Sequence, residues 1–190
     1  MFLLDERGVI TEKRFQQSYR ERETGAGLLL DGFHASATVH ASEVRAGSEG
    51  VTVRAWLDSD SYRYFQRQYL TVELDIAPGL HAYGLPIPDG FVPLAINVEP
   101  SEAFETGTAV LPEPAPFRIE GLDEQFYVHE GKVRVTIPVT FTKRDAGDLT
   151  LSVHVAYQVC SATDCLMPVS LTLEVPVTAA PHVASASDAG

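Results

Sequence analysis

From Val51 to Val177 the apolar residues recur at every second position. Val51, Val53 and Ala55 alternate with Thr52 and Arg54, and Leu70, Val72, Leu74 and Ile76 make a second run. The strongest runs come late. Val133, Val135, Ile137, Val139 and Phe141 alternate with Arg134, Thr136, Pro138 and Thr140; two more runs follow, Leu149 to Tyr157 and Val169 to Val177. Successive side chains of a strand point to opposite faces, so each run predicts a strand with one buried and one solvated face, as in an antiparallel sheet. Leu80–Tyr83 and Val92–Val98 read as shorter strands. Ala77-Pro78-Gly79, the Pro86, Pro88 and Gly90 cluster, and Asp145-Ala146-Gly147-Asp148 read as turns, and Pro112, Pro114 and Pro116 as an extended connection. Pro138 cannot donate to a ladder, which predicts an edge strand or a bulge there. Short strands separated by turns predict an all-β, two-sheet antiparallel sandwich over residues 51–178.

The flanks differ. Within residues 1–33, Phe2-Leu3-Leu4, the turn Asp5-Glu6-Arg7-Gly8 and the return Val9-Ile10 predict a hairpin, and Thr24 to Leu30 could cap and open a short helix. A hairpin and one helix cannot bury a core alone, so this stretch is expected to belong to a larger fold or to pack as an arm. Residues 34–50 read as a linker ending in Gly47-Ser48-Glu49-Gly50, and residues 179–190, rich in Ala and Ser, as a disordered tail.

Charge narrows the functional classes. A net charge of −12 and a pI of about 4.8 repel phosphate backbones and anionic lipid surfaces, so nucleic-acid and membrane-surface binding are set aside. No apolar run reaches the length of about 18 residues that a membrane helix needs, and the Met1–Arg7 start does not have the pattern of a secretory signal. The 2 cysteines are too few for a disulfide scaffold or a structural zinc site, so no metal and no cofactor is expected.

The candidate chemistry is Cys160 and Cys165, in Tyr157-Gln158-Val159-Cys160-Ser161-Ala162-Thr163-Asp164-Cys165-Leu166-Met167-Pro168. With a strand on each side, this spacing suits a hairpin loop whose neck brings the cysteines face to face. Partners across an antiparallel neck have Cα atoms about 4.5–5.5 Å apart, within the reach of a disulfide. So short a ring contributes only about 2 kcal/mol through chain entropy, against about 4.7 for a 100-residue loop. A local bridge therefore points towards chemistry, while an inert bridge that merely stiffens a loop stays open.

The stretch Tyr157–Pro168 resembles the cysteine-bearing strand–loop–strand of the N-terminal periplasmic domain of the DsbD thiol:disulfide interchange family. Asp123-Glu124-Gln125-Phe126-Tyr127, followed by Gly131 and the strand Val133–Thr140, resembles that family's cap loop and next strand. Asp75–Tyr83 resembles its early aromatic-bearing strand. The resemblance implies an immunoglobulin-like sandwich and a thiol–disulfide exchange function with a thioredoxin-fold partner, in the periplasm; the start without a secretory-signal pattern leaves the cytoplasm open. It implies that Cys165 exchanges with the partner's thiol and that Cys160 resolves the mixed disulfide. Phe126 and Tyr127 would cap the pair, Tyr83 and His81 would line the pocket, and Asp123 and Glu124 would influence proton transfer. Four features depart from the pattern: the cysteine loop is one residue shorter, Gln125 is inserted into the cap, His81 stands where the family has tyrosine, and Met167 replaces a proline. His129 reads as a solvated loop histidine.

Phe2–Ile10 is similar to the late hairpin of a thioredoxin-fold redoxin of the peroxiredoxin kind, so residues 1–33 read as the remnant of such a domain. It holds no cysteine, and so no peroxidatic site. The alternative function is a non-catalytic binding or docking domain appended to a redoxin, with an inert hairpin disulfide.

Overall fold

The computed structural model describes residues 2–13, 22–24, 42–118, 125–144 and 146–180. Its strands, in chain order, begin with β1 (Phe2–Leu4), β2 (Ile10–Lys13), β3 (Arg22–Glu23), β4 (Val44–Ser48), β5 (Val51–Leu57), β6 (Ser61–Tyr62), β7 (Gln66–Ile76) and β8 (His81–Tyr83). They continue with β9 (Ala95–Val98), β10 (Phe104–Thr106), β11 (Ala115–Arg118), β12 (Gln125–His129), β13 (Lys132–Phe141), β14 (Leu149–Tyr157), β15 (Val159–Cys160) and β16 (Val169–Ala179). No helix occurs among the described residues. The helix expected at Thr24–Leu30 lies, beyond Thr24, outside them.

The period-two runs become the two layers of an immunoglobulin-like β-sandwich. One sheet has the order β10-β13-β7-β5-β4, and the other β6-β16-β14-β9. Val53, Leu70, Val72, Leu74, Val135 and Ile137 of the first sheet share one core cluster with Leu151, Val153, Val155, Leu173 and Val175 of the second. Most of these side chains are wholly removed from water, each stabilising the fold by about 1.5–3 kcal/mol relative to exposure. The ladders are antiparallel except for two short parallel pairs, β6 with β16 and β3 with β7.

Three expectations are revised. Val44–Ser48, inside the expected linker, is a strand paired with β5 from Val44↔Ala55 to Ser48↔Val51. Glu49-Gly50 is then a two-residue hairpin turn, with Gly50 at φ 74°, while Gly47 lies in the ladder opposite Thr52. The last strand runs to Ala179, whose N–H donates to Asp148 Oδ1 at 3.0 Å, so order extends past the expected boundary at 178; residues 181–190 lie outside the described ones. Pro138 is not on an edge, because β13 lies between β7 and β10. Its carbonyl accepts from Gly107 N–H on the β10 side, and its missing N–H faces the same way, where β10 ends. No bond to β7 is lost.

The expected N-terminal hairpin forms: Phe2 pairs with Lys13 and Leu3 with Glu12, and Gly8 takes φ 78° in the turn. On the outer phase of β7, Glu73 is buried between two cations on neighbouring strands, Arg54 of β5 and Arg134 of β13.

Candidate functional site

A third sheet, β11-β12-β8-β15, carries Cys160 and is joined to the sandwich core through Ala82 and Val159. Tyr157 still pairs with Val169 in the β14–β16 hairpin, but the chain then leaves that ladder, and β15 joins β8 through Val159↔Ala82 and Cys160↔His81. Cys160 and Cys165 are joined by a disulfide across an antiparallel bridge, Cα atoms 4.0 Å apart. Leu166 N–H donates to Val159 O at 2.8 Å and Ser161 N–H to Asp164 O at 2.7 Å. The cysteines therefore occupy the non-hydrogen-bonded position between those contacts, where side chains approach most closely.

The loop is held from both ends. Ser161 Oγ accepts from the N–H groups of Thr163 and Asp164 at 3.2 and 3.0 Å. Gln158 Oε1 accepts from Val92 N–H at 3.1 Å, and its Nε2 donates to Leu166 O at 3.2 Å, tying the cysteine loop to the segment between β8 and β9. The two sulfurs have different surroundings. Cys160 is 1% exposed, whereas Cys165 lies on the exposed side of the loop.

Strand alternation and register put Cys160, His81, Tyr83, Val128, Phe126 and Phe117 on one face of this sheet. Tyr83, Phe126, Val128 and Cys160 form an apolar cluster of their own, against which Phe91, Phe117 and Ile87 pack. The Tyr83 ring meets Phe91 at 4.9 Å, edge to face, and Phe126 at 5.6 Å; Phe91 meets Phe126 at 5.5 Å. The Tyr83 hydroxyl stands 3.7 Å from Cys165 Sγ. His81 lies 4.4 Å from the Phe117 ring and 5.6 Å from Tyr83. Gly84 allows the chain to pass close by: a Cβ there would sit 2.6 Å from Pro114 and 3.0 Å from His129 Nε2.

Burial sets the protonation of this face. It pushes the His81 imidazole below its ordinary value, against the opposing charge of Glu130, and it pushes the Tyr83 phenol up. At neutral pH both are uncharged.

The structure thus brings Phe126, Tyr83 and His81 to the cysteine pair. Tyr127, next along β12, falls on the opposite face by alternation, and its carbonyl accepts from Gly84 N–H at 2.8 Å. Asp123 and Glu124 lie outside the described residues. His129 is not a solvated loop residue: it is buried at the end of β12, opposite Ala82, and burial lowers its pKa. The sequence reading missed Phe91, Phe117 and Gln158. Phe91 sits in a loop without periodicity, and Phe117 follows a proline-rich stretch that reads as a connection. Gln158 was visible only as a polar residue directly before the cysteine strand.

Residues 55–176 match the family model described as thiol:disulfide interchange protein DsbD, N-terminal. The chain belongs to this family. No curated protein matches it. Among solved structures it is similar to the N-terminal periplasmic domain of ScsB from Proteus mirabilis, at 17% identity and a TM-score of 0.48, covering 72% of this chain and 49% of that one. The chain therefore spans about half the length of that structure. It is also similar to the Neisseria meningitidis DsbD N-terminal domain in the reduced form, at 14% identity and a TM-score of 0.43, covering 68% and 87% of the two chains. A third is the complex between the DsbD N-terminal and PilB N-terminal domains from the same organism, at 15% identity and a TM-score of 0.40, covering 56% and 73%. The chemistry in the DsbD family's name is thiol–disulfide interchange, and the bridge available for it here is Cys160–Cys165.

Proposed function

We propose that this domain relays electrons between redox partner proteins through the Cys160–Cys165 couple, with a thioredoxin-fold dithiol as partner. The supporting observation is the asymmetry of the bridge: Cys165 is open to an incoming thiolate, and Cys160 is sealed beneath the aromatic face. Exchange needs a thiolate aligned with the S–S bond and access to the sulfur it attacks. A partner thiolate would attack Cys165 Sγ, forming the mixed disulfide and expelling Cys160 as a thiolate. The partner's second thiolate would then attack its own bridged sulfur and free Cys165. Run backwards, the same steps oxidise the domain. The aromatic face limits access to one direction, a gating role. The same reading takes residues 1–33 as part of a redoxin unit. In support, β1 and β2 stand as a separate two-stranded sheet that exposes Phe2, Leu4, Val9 and Ile10.

The test is trapping. The reduced Cys160→Ser protein is mixed with an oxidised thioredoxin-fold protein, and mass spectrometry should find a mixed disulfide through Cys165. The Cys165→Ser protein, left with its buried thiol, should form little. Equal trapping by the two variants, or none by either, overturns the assignment and leaves an inert bridge in a docking domain.

A further inference from the structure

The neighbours of Cys160 form a row across three strands. On one side its register partner is His81 of β8. On the far side of β8, the register Val128↔Tyr83 and His129↔Ala82, continued by one residue, sets Glu130 beside His81. Glu130 just past the end of β12, the His81 imidazole on β8 and the Cys160 sulfur on β15 thus stand at one level of the sheet. His81 is 3% exposed, and its Nε2 is buried with no hydrogen-bond partner among the described residues. A buried imidazole nitrogen left unpaired is destabilising, because its lost hydrogen bond to water is not replaced. In the oxidised protein the sulfur of its register partner Cys160 is bridged, uncharged and a poor acceptor.

Opening the bridge changes that. The electron pair of the broken S–S bond stays on Cys160, in an apolar cluster where an isolated charge is costly. We propose that the His81 imidazole is the internal partner of the Cys160 sulfur in the reduced state, donating to the thiolate when it is expelled and accepting the Cys160 proton when the bridge re-forms. This rests on the exchange function proposed above.

The proton balance is closed. The attacking partner releases one proton to water on becoming a thiolate. One proton returns to the Cys160–His81 pair, on sulfur or nitrogen, as Cys160 leaves. In re-oxidation Cys160 passes its proton to His81 and attacks Cys165 Sγ in the mixed disulfide, the partner departs as a thiolate, and His81 releases the proton to water and is neutral again.

Among the described residues the groups facing His81 are few. From just past the end of β12 Glu130 favours its cationic form, from β15 the Cys160 thiolate would do so more strongly, and Phe117 of β11 is apolar. Tyr83, on its own strand, is uncharged. Asp123 and Glu124 lie outside the described residues. His81 is thus neutral while the bridge is closed and should gain a proton more readily once it opens.

Two measurements test this. In stopped-flow mixing of the reduced protein with an oxidised thioredoxin-fold partner, quenched at intervals with acid, His81→Phe should leave the formation of the Cys165 mixed disulfide unchanged. It should slow resolution by Cys160 about tenfold, one pKa unit's worth of thiolate, so the mixed disulfide accumulates. NMR titration of the unaltered protein should place the His81 midpoint higher in the reduced form than in the oxidised form; this reading needs no variant. Equal midpoints, or unchanged resolution in a folded His81→Phe protein, overturn the role of His81 and leave the exchange function standing. Failure of Cys160→Ser to trap any partner removes the exchange function and this role with it.

Discussion

The Tyr83 hydroxyl lies 3.7 Å from Cys165 Sγ. A bridged sulfur carries no hydrogen, so the phenol is the donor, and burial of Tyr83 keeps its proton on above the ordinary phenol range. The same O–H can donate to the Cys165 thiolate after reduction. A hydrogen bond to a charged group contributes about 1.5–3 kcal/mol when well formed, and the exposure of Cys165 places this one at the low end. Tyr83→Phe should raise the Cys165 thiol pKa and slow its alkylation near neutral pH by about tenfold. The measurement is the pH dependence of iodoacetamide labelling in the reduced Cys160→Ser background. Superimposable profiles would show that the contact does not act on the thiolate.

Phe117 is half-buried and lies against the His81 ring, whereas Phe126 is fully enclosed. Truncating a fully buried phenylalanine costs about 3–5 kcal/mol, so Phe126→Ala would confuse loss of cover with loss of fold. Phe117→Ala should cost less, about 1–2 kcal/mol, and leave the sandwich intact. It should make the bridge more accessible, so that reduction by glutathione becomes faster while reduction by a thioredoxin-fold protein changes little. Parallel acceleration of both would mean that Phe117 provides no selectivity.

The sandwich was legible in the sequence because one property decides it. Residues such as Val133 to Phe141 alternate so strictly that the period-two pattern fixes strand, face and core together. The cysteine hairpin was legible through its spacing and its flanking strands. The cover was not. Phe91 reaches Tyr83 from a loop, and Phe117 reaches His81 across β12, so neither contact leaves a periodic mark. Phe126 and Tyr127 are adjacent in sequence, which suggests one cap, yet alternation along β12 sends them to opposite faces. Glu73 is hidden for a related reason: a carboxylate on the outer phase of a strand reads as solvated, and only the pairing of β5 and β13 on either side surrounds it with arginines.

If the bridge serves chemistry and not stability, breaking it should change the fold little. The ring from Cys160 to Cys165 is short, and the chain-entropy estimate is about 2 kcal/mol. The β14–β16 ladder and Gln158 still hold the loop when the bridge is open. Guanidinium unfolding of the oxidised and reduced proteins should therefore differ by about 2 kcal/mol or less, with cooperative transitions in both. Non-cooperative unfolding of the reduced form would mark the disulfide as a structural staple.

Glu73 supplies a pH dependence that is separate from the redox site. Burial pulls its pKa up, but Arg134 and Arg54 outweigh burial, and the net position is below the ordinary value of 4.5. Arg134 Nε donates to Glu73 Oε2 at 2.9 Å, and Arg54 bonds Oε1. A folded-state pKa below the unfolded one means the unfolded chain binds the proton first on acidification. The contribution of Glu73 is thus fully present above 4.5 and is lost as the pH falls through the lower folded value. Removing one member of a fully buried ion pair costs about 3–5 kcal/mol. Here Arg134 and Arg54 keep side-chain exposures of 48% and 26%, so solvent screens the charges left behind and about 1–2 kcal/mol is expected for Glu73→Gln at neutral pH. Unfolding of the two proteins at about pH 7 and about pH 3 checks the sign: the gap should narrow in acid, where the native carboxylate is also being protonated. A gap that stays constant with pH would assign the cost to packing and not to the charge on Glu73.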